Sequence, residues 1–291
     1  MKQQQKKSLK AQILSYKRHP GSFVVFLLLC LATLLTAGTF ILLLAHIIIN
    51  GIPNLSLDLF SFEYTSDNAS MMPAIINTLS ITLLSLVVAV PVGIFSAIYL
   101  TEYARRGNKF VSVVRVTAET LSGIPSIVYG LFGYLMFNIW MGVGYSLISG
   151  VLTMAIMILP LIMRTTEEAI LAVPDLYREG SFGLGAGRLR TVFSVVLPAA
   201  IPGILAGVIL GIGRIVGETA ALMFTAGTAT EIATSVGDSG RTLSVHMYML
   251  LNEGLHMNEA HATAVVLLVL VVGINALSAF VAKRIGKRGM A

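Results

Sequence analysis

Six stretches of this sequence run apolar for close to 20 residues or longer, at 22–50, 75–101, 112–139, 145–163, 198–226 and 261–282. A helix needs about 20 residues at 1.5 Å each to cross the hydrocarbon of a bilayer, so each stretch is long enough to span. Composition agrees: 56% of residues are hydrophobic and 12% charged, about half the charge of a soluble domain. The expected fold is therefore all-α, a polytopic membrane protein with six transmembrane helices. The first stretch exceeds the roughly 7–15 apolar residues of a secretory signal and is expected to be a retained helix.

Orientation follows from the distribution of Lys and Arg. Of the 20, 17 fall in the N-terminal tail, the 102–111 and 164–197 loops and the C-terminus, which share one side of a six-span protein. The other side, about 51–74, 140–144 and 227–260, carries Arg241 among Asp58, Glu63, Asp67, Glu231, Asp238, Glu253 and Glu259. The positive-inside rule then predicts both termini cytoplasmic, in a multi-pass plasma-membrane protein surrounded by lipid. The same rule accounts for the net charge of +6 without nucleic acid as a partner. The expected organisation is a cytoplasmic tail at 1–21, a first span and external loop at 22–74, a core at 75–283 and a cytoplasmic tail at 284–291.

Residues 164–197 are too many for a connector. Pro174 and Asp175 suit the first turn of a helix that continues through Glu179. The run from Gly183 to Gly187 breaks it, and Arg188 to Val196 predicts a second short helix ending before Pro198. The expectation is helix, tight turn and helix on the cytoplasmic face. These glycines do not spell a dinucleotide fingerprint, and Gly286-Lys287 lacks the rest of a P-loop, so no nucleotide site is expected.

Arg214 and Glu218 stand inside the fifth stretch, four residues apart, on one helix face where they can pair. An ionised side chain at that depth costs at least about 2.5–3.5 kcal/mol and belongs in the bundle interior. A guanidinium fork suits an oxyanion such as phosphate, while the bland reading is a structural ion pair. Arg164, Glu167 and Glu168 cluster at the end of the fourth stretch, as a gate or as an interfacial salt bridge. The histidines show no metal-ligand spacing, and no catalytic triad or carboxylate pair suggests chemistry, so no catalytic residue, metal or cofactor is expected.

Glu179-Gly180-Ser181, then Gly185, then Val195-Val196-Leu197-Pro198 resemble the EAA loop of bacterial ABC importer permeases, which reads EAA, three residues, G, nine residues, I-x-L-P. Gly180, Ser181 and Val195 depart from it by small or apolar exchanges. The stretch from Gly213 through Arg214, Glu218 and Thr219 to Ala226 resembles GRAxGETAPLLFTA of phosphate ABC transporter permeases of the PstA type, with Ala221 in place of the proline. Gly123 to Gly133 resembles their GVPSIVYGLFG. The resemblance implies a type I ABC importer permease fold, with Glu179, Gly180, Ser181, Gly185, Leu197 and Pro198 coupling to an ATPase and Arg214, Glu218 and Thr219 on the substrate pathway. It further implies four partners: a cytoplasmic ATPase dimer, a homologous second permease of the PstC type, an external phosphate-binding protein, and membrane lipid. Hydrolysis of ATP would belong to the ATPase, and this chain would not be an enzyme. The alternatives are a permease for molybdate, sulfate or phosphonate, and an ion-coupled secondary transporter.

Overall fold

The computed structural model describes residues 20–105 and 107–288, so most of the expected 1–21 tail, with Arg106 and the last three residues, lies outside the described residues. The described residues up to Asn50 form one compact unit and those from Gly51 a second. The first unit's helix, α1 (Pro20–Gly51), is apolar on every side, with Leu34, Leu35, Leu42 and Ile49 all exposed. Thr33, Thr36 and Thr39 donate to the carbonyls one turn back, which satisfies their hydroxyls within the helix. Such a surface is stable in hydrocarbon rather than in water.

The second unit is a bundle built around α5 (Leu147–Leu171). Against it pack α2 (Met72–Ile98) and α8 (Leu197–Val216), and α11 (Met257–Arg288) lies along α8. Met154, Met157, Ile158 and Ile162 of α5 are fully buried at the centre, among Ile81 and Ala89 of α2 and Ile215 of α8. Close approach of α2 to α5 depends on Gly93, where an added Cβ would lie 2.8 Å from Ile162. The α2 helix ends in a wide turn, Tyr99–Tyr103, with hydrogen bonds of π type.

Among the described residues five helices are long and apolar enough to cross a membrane, or six if a bent pair is taken as one span. The third expected span is that pair rather than one helix: α3 (Lys109–Ser122) and Ser126–Trp140, which begins as α4 (Ser126–Gly133), meet at 105°. Pro125 has no amide hydrogen to continue a helix and holds the residue before it out of the α region. The fourth span runs eight residues beyond its expected end at 163, so Arg164, Glu167 and Glu168 are helical. The fifth ends at Val216; Gly217, Glu218 and Thr219 separate it from a short α9 (Ala220–Thr225).

Within 164–197, α6 (Asp175–Gly183) forms as expected. The second short helix does not stop before Pro198. Instead α7 (Arg188–Thr191) passes through a π turn, Val192–Val196, directly into α8. That widened turn accommodates the amide that Pro198 cannot supply. The region 227–260 contains a further helix, α10 (Leu243–Glu253), which the sequence reading left out.

Candidate functional site

Two helix breaks define the centre of the candidate site. One lies between α3 and α4 at Gly123–Pro125, the other between α8 and α9 at Gly217–Thr219, and α4 packs along α9. Contact is direct: a Cβ on Gly130 would sit 2.8 Å from the Ala221 Cα. Any side chain there would separate the two half-helices. The Tyr129 hydroxyl donates to the Leu121 carbonyl at 2.8 Å, which bridges the first break, and the ring lies within electrostatic reach of Arg214.

Arg214 and Glu218 do not pair. Because α8 ends at Val216, Glu218 leaves the helix face that the spacing assigned to it. Its carboxylate instead accepts the Ala221 amide at 3.0 Å and caps α9, while its backbone carbonyl accepts the Ser244 hydroxyl from α10. Thr219 is the N-cap residue of α9, without a side-chain cap bond. Arg214, in the last turn of α8, is half-buried, and among the described residues no carboxylate forms an ion pair with it. The helix C-terminus offsets part of its charge. Asn275 of α11 lies against Gly213, 3.7 Å from where a Cβ would stand. Asn275 is a polar group in an apolar helix, a signal that sequence reading passed over.

A second cluster lies at the far end of α5. Arg164 and Glu168 form an exposed pair at 3.2 Å, one turn apart as expected. Glu167 reaches across to Arg115 of α3. Together with Glu119 these five line a cavity of about 580 Å³. Arg115 was legible on the same ground as Arg214, as an ionised group inside an apolar stretch, and was missed.

The 164–197 loop forms a third element. Gly185 has φ of +82°, a left-handed conformation that costs an L-residue roughly 1–2 kcal/mol, and it turns the chain from α6 towards α7. The Ser181 and Thr191 hydroxyls bond at 2.8 Å across the turn. Gly180 meets no neighbour, so nothing within this chain requires glycine there. Glu179 is exposed, and so are Leu176, Tyr177, Phe182 and Leu184 of the same loop, Leu184 at 91%. Leu197 and Pro198 sit in the first turn of α8, away from those residues in sequence and half-buried.

Residues 89–288 match the family described as binding-protein-dependent transport system inner membrane component. The probable ABC transporter permease protein YqgI of Bacillus subtilis (strain 168) is 40% identical over 207 residues, which cover 69% of this chain and 68% of that protein. The phosphate transport system permease protein PstA of Mycobacterium leprae (strain TN) is 33% identical over 196 residues, 66% of this chain and 64% of its own length. The chain thus spans about two thirds of the relatives it matches. Among solved structures, a bacterial alginate ABC transporter in complex with an alginate-bound periplasmic protein aligns over 94% of this chain and 98% of its own, with a TM-score of 0.68 at 15% identity. The MetNI methionine ABC transporter, in an inward-facing conformation, aligns over 72% of this chain and 91% of its own, with a TM-score of 0.56 at 20% identity. At such identities the likeness is one of fold, that of the type I importer permeases.

Proposed function

The chain belongs to the family of binding-protein-dependent transport system inner membrane components, and from that membership we propose that it is the PstA-type permease of an ATP-driven phosphate importer. In this reading it forms half of the substrate pathway beside a homologous PstC-type permease. An external phosphate-binding protein delivers substrate, and a cytoplasmic ATPase dimer docks on the exposed helix α6. Both termini and the 164–197 loop are cytoplasmic.

The observation that carries the substrate class is the unpaired state of Arg214. A structural ion pair with Glu218 would have consumed the guanidinium; with Glu218 committed to capping α9, the charge is left for an anion. Its fork offers two parallel donors to a tetrahedral oxyanion, and Tyr129 lies within its electrostatic reach. Discontinuous helices at the substrate site are a recurring device in transporters, because half-helix ends supply unsatisfied backbone groups at membrane depth. The cavity under Arg115 and Glu167 lies on the route by which the anion leaves, and the pair acts as its gate.

The test is uptake of radiolabelled phosphate into proteoliposomes holding the complete complex, with ATP inside. ATP-dependent accumulation that phosphate competes away and that sulfate, molybdate and phosphonate do not is the expected result. Competition by one of those oxyanions at equal concentration reassigns the substrate. Accumulation driven by an ion gradient without the ATPase overturns the importer itself.

A further inference from the structure

Arg178 uses every donor it has. Its Nε and Nη2 donate to Oε1 of Glu102 at 3.1 and 2.8 Å; Nη2 also donates to the Ile170 carbonyl at 3.0 Å. Its Nη1 donates to the Val173 carbonyl at 2.8 Å and to Asp175 Oδ1 at 3.1 Å. Five donors meet five acceptor contacts, the full capacity of a guanidinium. The two side chains that form the central ion pair are 15% and 10% exposed.

The acceptors come from three elements. Glu102 belongs to the π turn that closes α2, Ile170 to the last turn of α5, and Val173 and Asp175 to the entry of α6. By contrast α6 itself buries no residue, and its large side chains Leu176, Tyr177 and Phe182 are exposed. Little apolar packing therefore fixes α6 to the bundle. Among the described residues α6 packs against α7 and the Val192–Val196 turn, and Arg178 is the side chain that hydrogen-bonds it to the ends of α2 and α5.

We infer that Arg178 is a positioning residue that locks α6 to the ends of α2 and α5, so that a displacement imposed on α6 reaches both spans. The inference rests on the reading that the ATPase seats on α6, and adds the joint by which its motion is delivered. A lysine would supply a point charge with three donors and could not serve all three elements at once.

The experiment compares wild type, Arg178→Lys and the near-isosteric Glu102→Gln in proteoliposomes holding the complete complex, reading phosphate moved per ATP hydrolysed. A merely structural role would lower both rates in proportion to the amount of complex and leave their ratio alone. The expected result for Arg178→Lys is hydrolysis retained and the ratio down about tenfold, a coupling lost between two sites. Glu102→Gln keeps one acceptor for the fork and should fall by less, in the same direction. An unchanged ratio in both variants overturns the joint; should Arg178→Lys fail to assemble, the ratio in Glu102→Gln alone decides. A cysteine at Leu184, in a background without Cys30, separates the premise from the inference. Its failure to crosslink to the ATPase in any nucleotide state overturns the docking and the joint with it, whereas crosslinking with an unchanged ratio overturns the joint alone.

Discussion

Arg115 of α3 and Glu167 of α5 form an ion pair across the cavity that those two helices line. The guanidinium is about half exposed and the carboxylate largely buried, with side-chain exposures of 48% and 12%. Solvent screening limits such a pair to about 1 kcal/mol of stability, so its removal should leave the protein folded. If the pair closes the exit, Glu167→Gln should change the uptake rate several-fold while abundance in the membrane stays near wild type. The charge exchange Arg115→Glu with Glu167→Arg should bring the rate back. Uptake that is insensitive to both single and exchanged variants would remove the gate.

Gly185 provides a graded test of the loop. At φ of +82° the order of tolerance should be Gly, then Asn, then Ala, with Asp adding a charge on the docking surface. Gly185→Asn should retain most transport. Gly185→Asp should hydrolyse ATP without moving phosphate. Equal transport in all four proteins would mean that the turn does not position the coupling surface.

Acid sensitivity is expected at the opposite end of the bundle. His246 of α10 is fully buried, and burial, reinforced by the neighbouring Arg241 charge, pushes its imidazole down to about 3 against the backbone of Ala69. A folded-state value below the unfolded 6.5 means that the unfolded chain binds the extra proton. Stability is then fully present above about pH 6.5 and falls by ~1.4 kcal/mol per pH unit as pH drops towards 3. The protection of α10 amides against hydrogen exchange, taken relative to the intrinsic rate at each pH, should therefore fall between pH 7 and 5, about 2 kcal/mol of opening free energy being lost by pH 5. His246→Phe should flatten that dependence. A dependence that survives the substitution would point to another group.

Sidedness can be read with an impermeant thiol reagent in intact cells, after Cys30 is replaced. Cysteines at Ser66 and Val236, both exposed, should label; a cysteine at Leu184 should label only after permeabilisation. Labelling of Leu184→Cys in intact cells would invert the proposed topology.

The spans were legible because a bilayer demands length and apolarity, and both are sums over a window. That same summation hides direction, so the helix breaks at Gly123–Pro125 and Gly217–Thr219 did not register, although Pro125 and the glycines marked the places. The turn of the 164–197 loop was legible because Gly185 and its flanking helices are local. The Arg178–Glu102 pair was not, since 76 residues separate its members and neither carries a local sign of the other. Arg214 was legible as a cation inside an apolar stretch, but its possible pairing with Glu218 was read from helical spacing across a point where the helix had already ended.

That ending sharpens the test of Arg214. Arg214→Gln keeps volume and hydrogen-bonding groups and deletes the charge. Since Glu218 is held by the Ala221 amide rather than by Arg214, the substitution leaves no newly unpaired carboxylate. The stability lost is limited to the interaction with the α8 C-terminus, about 0.3–1 kcal/mol, and the complex should assemble at near wild-type abundance. Uptake should fall tenfold or more, corresponding to at least ~1.4 kcal/mol of interaction with the anion. Arg214→Lys, a point charge without the fork, should lie between the two. A structural ion pair makes the opposite forecast for the double variant Arg214→Gln with Glu218→Gln. Removing both charges would relieve the strain of either single change and restore transport. With Glu218 acting as a cap, the double variant should instead transport no better than Arg214→Gln and should lose stability of its own. Recovery of phosphate uptake in the double variant would overturn the substrate role of Arg214 and leave only a pair that forms in some other state of the transporter.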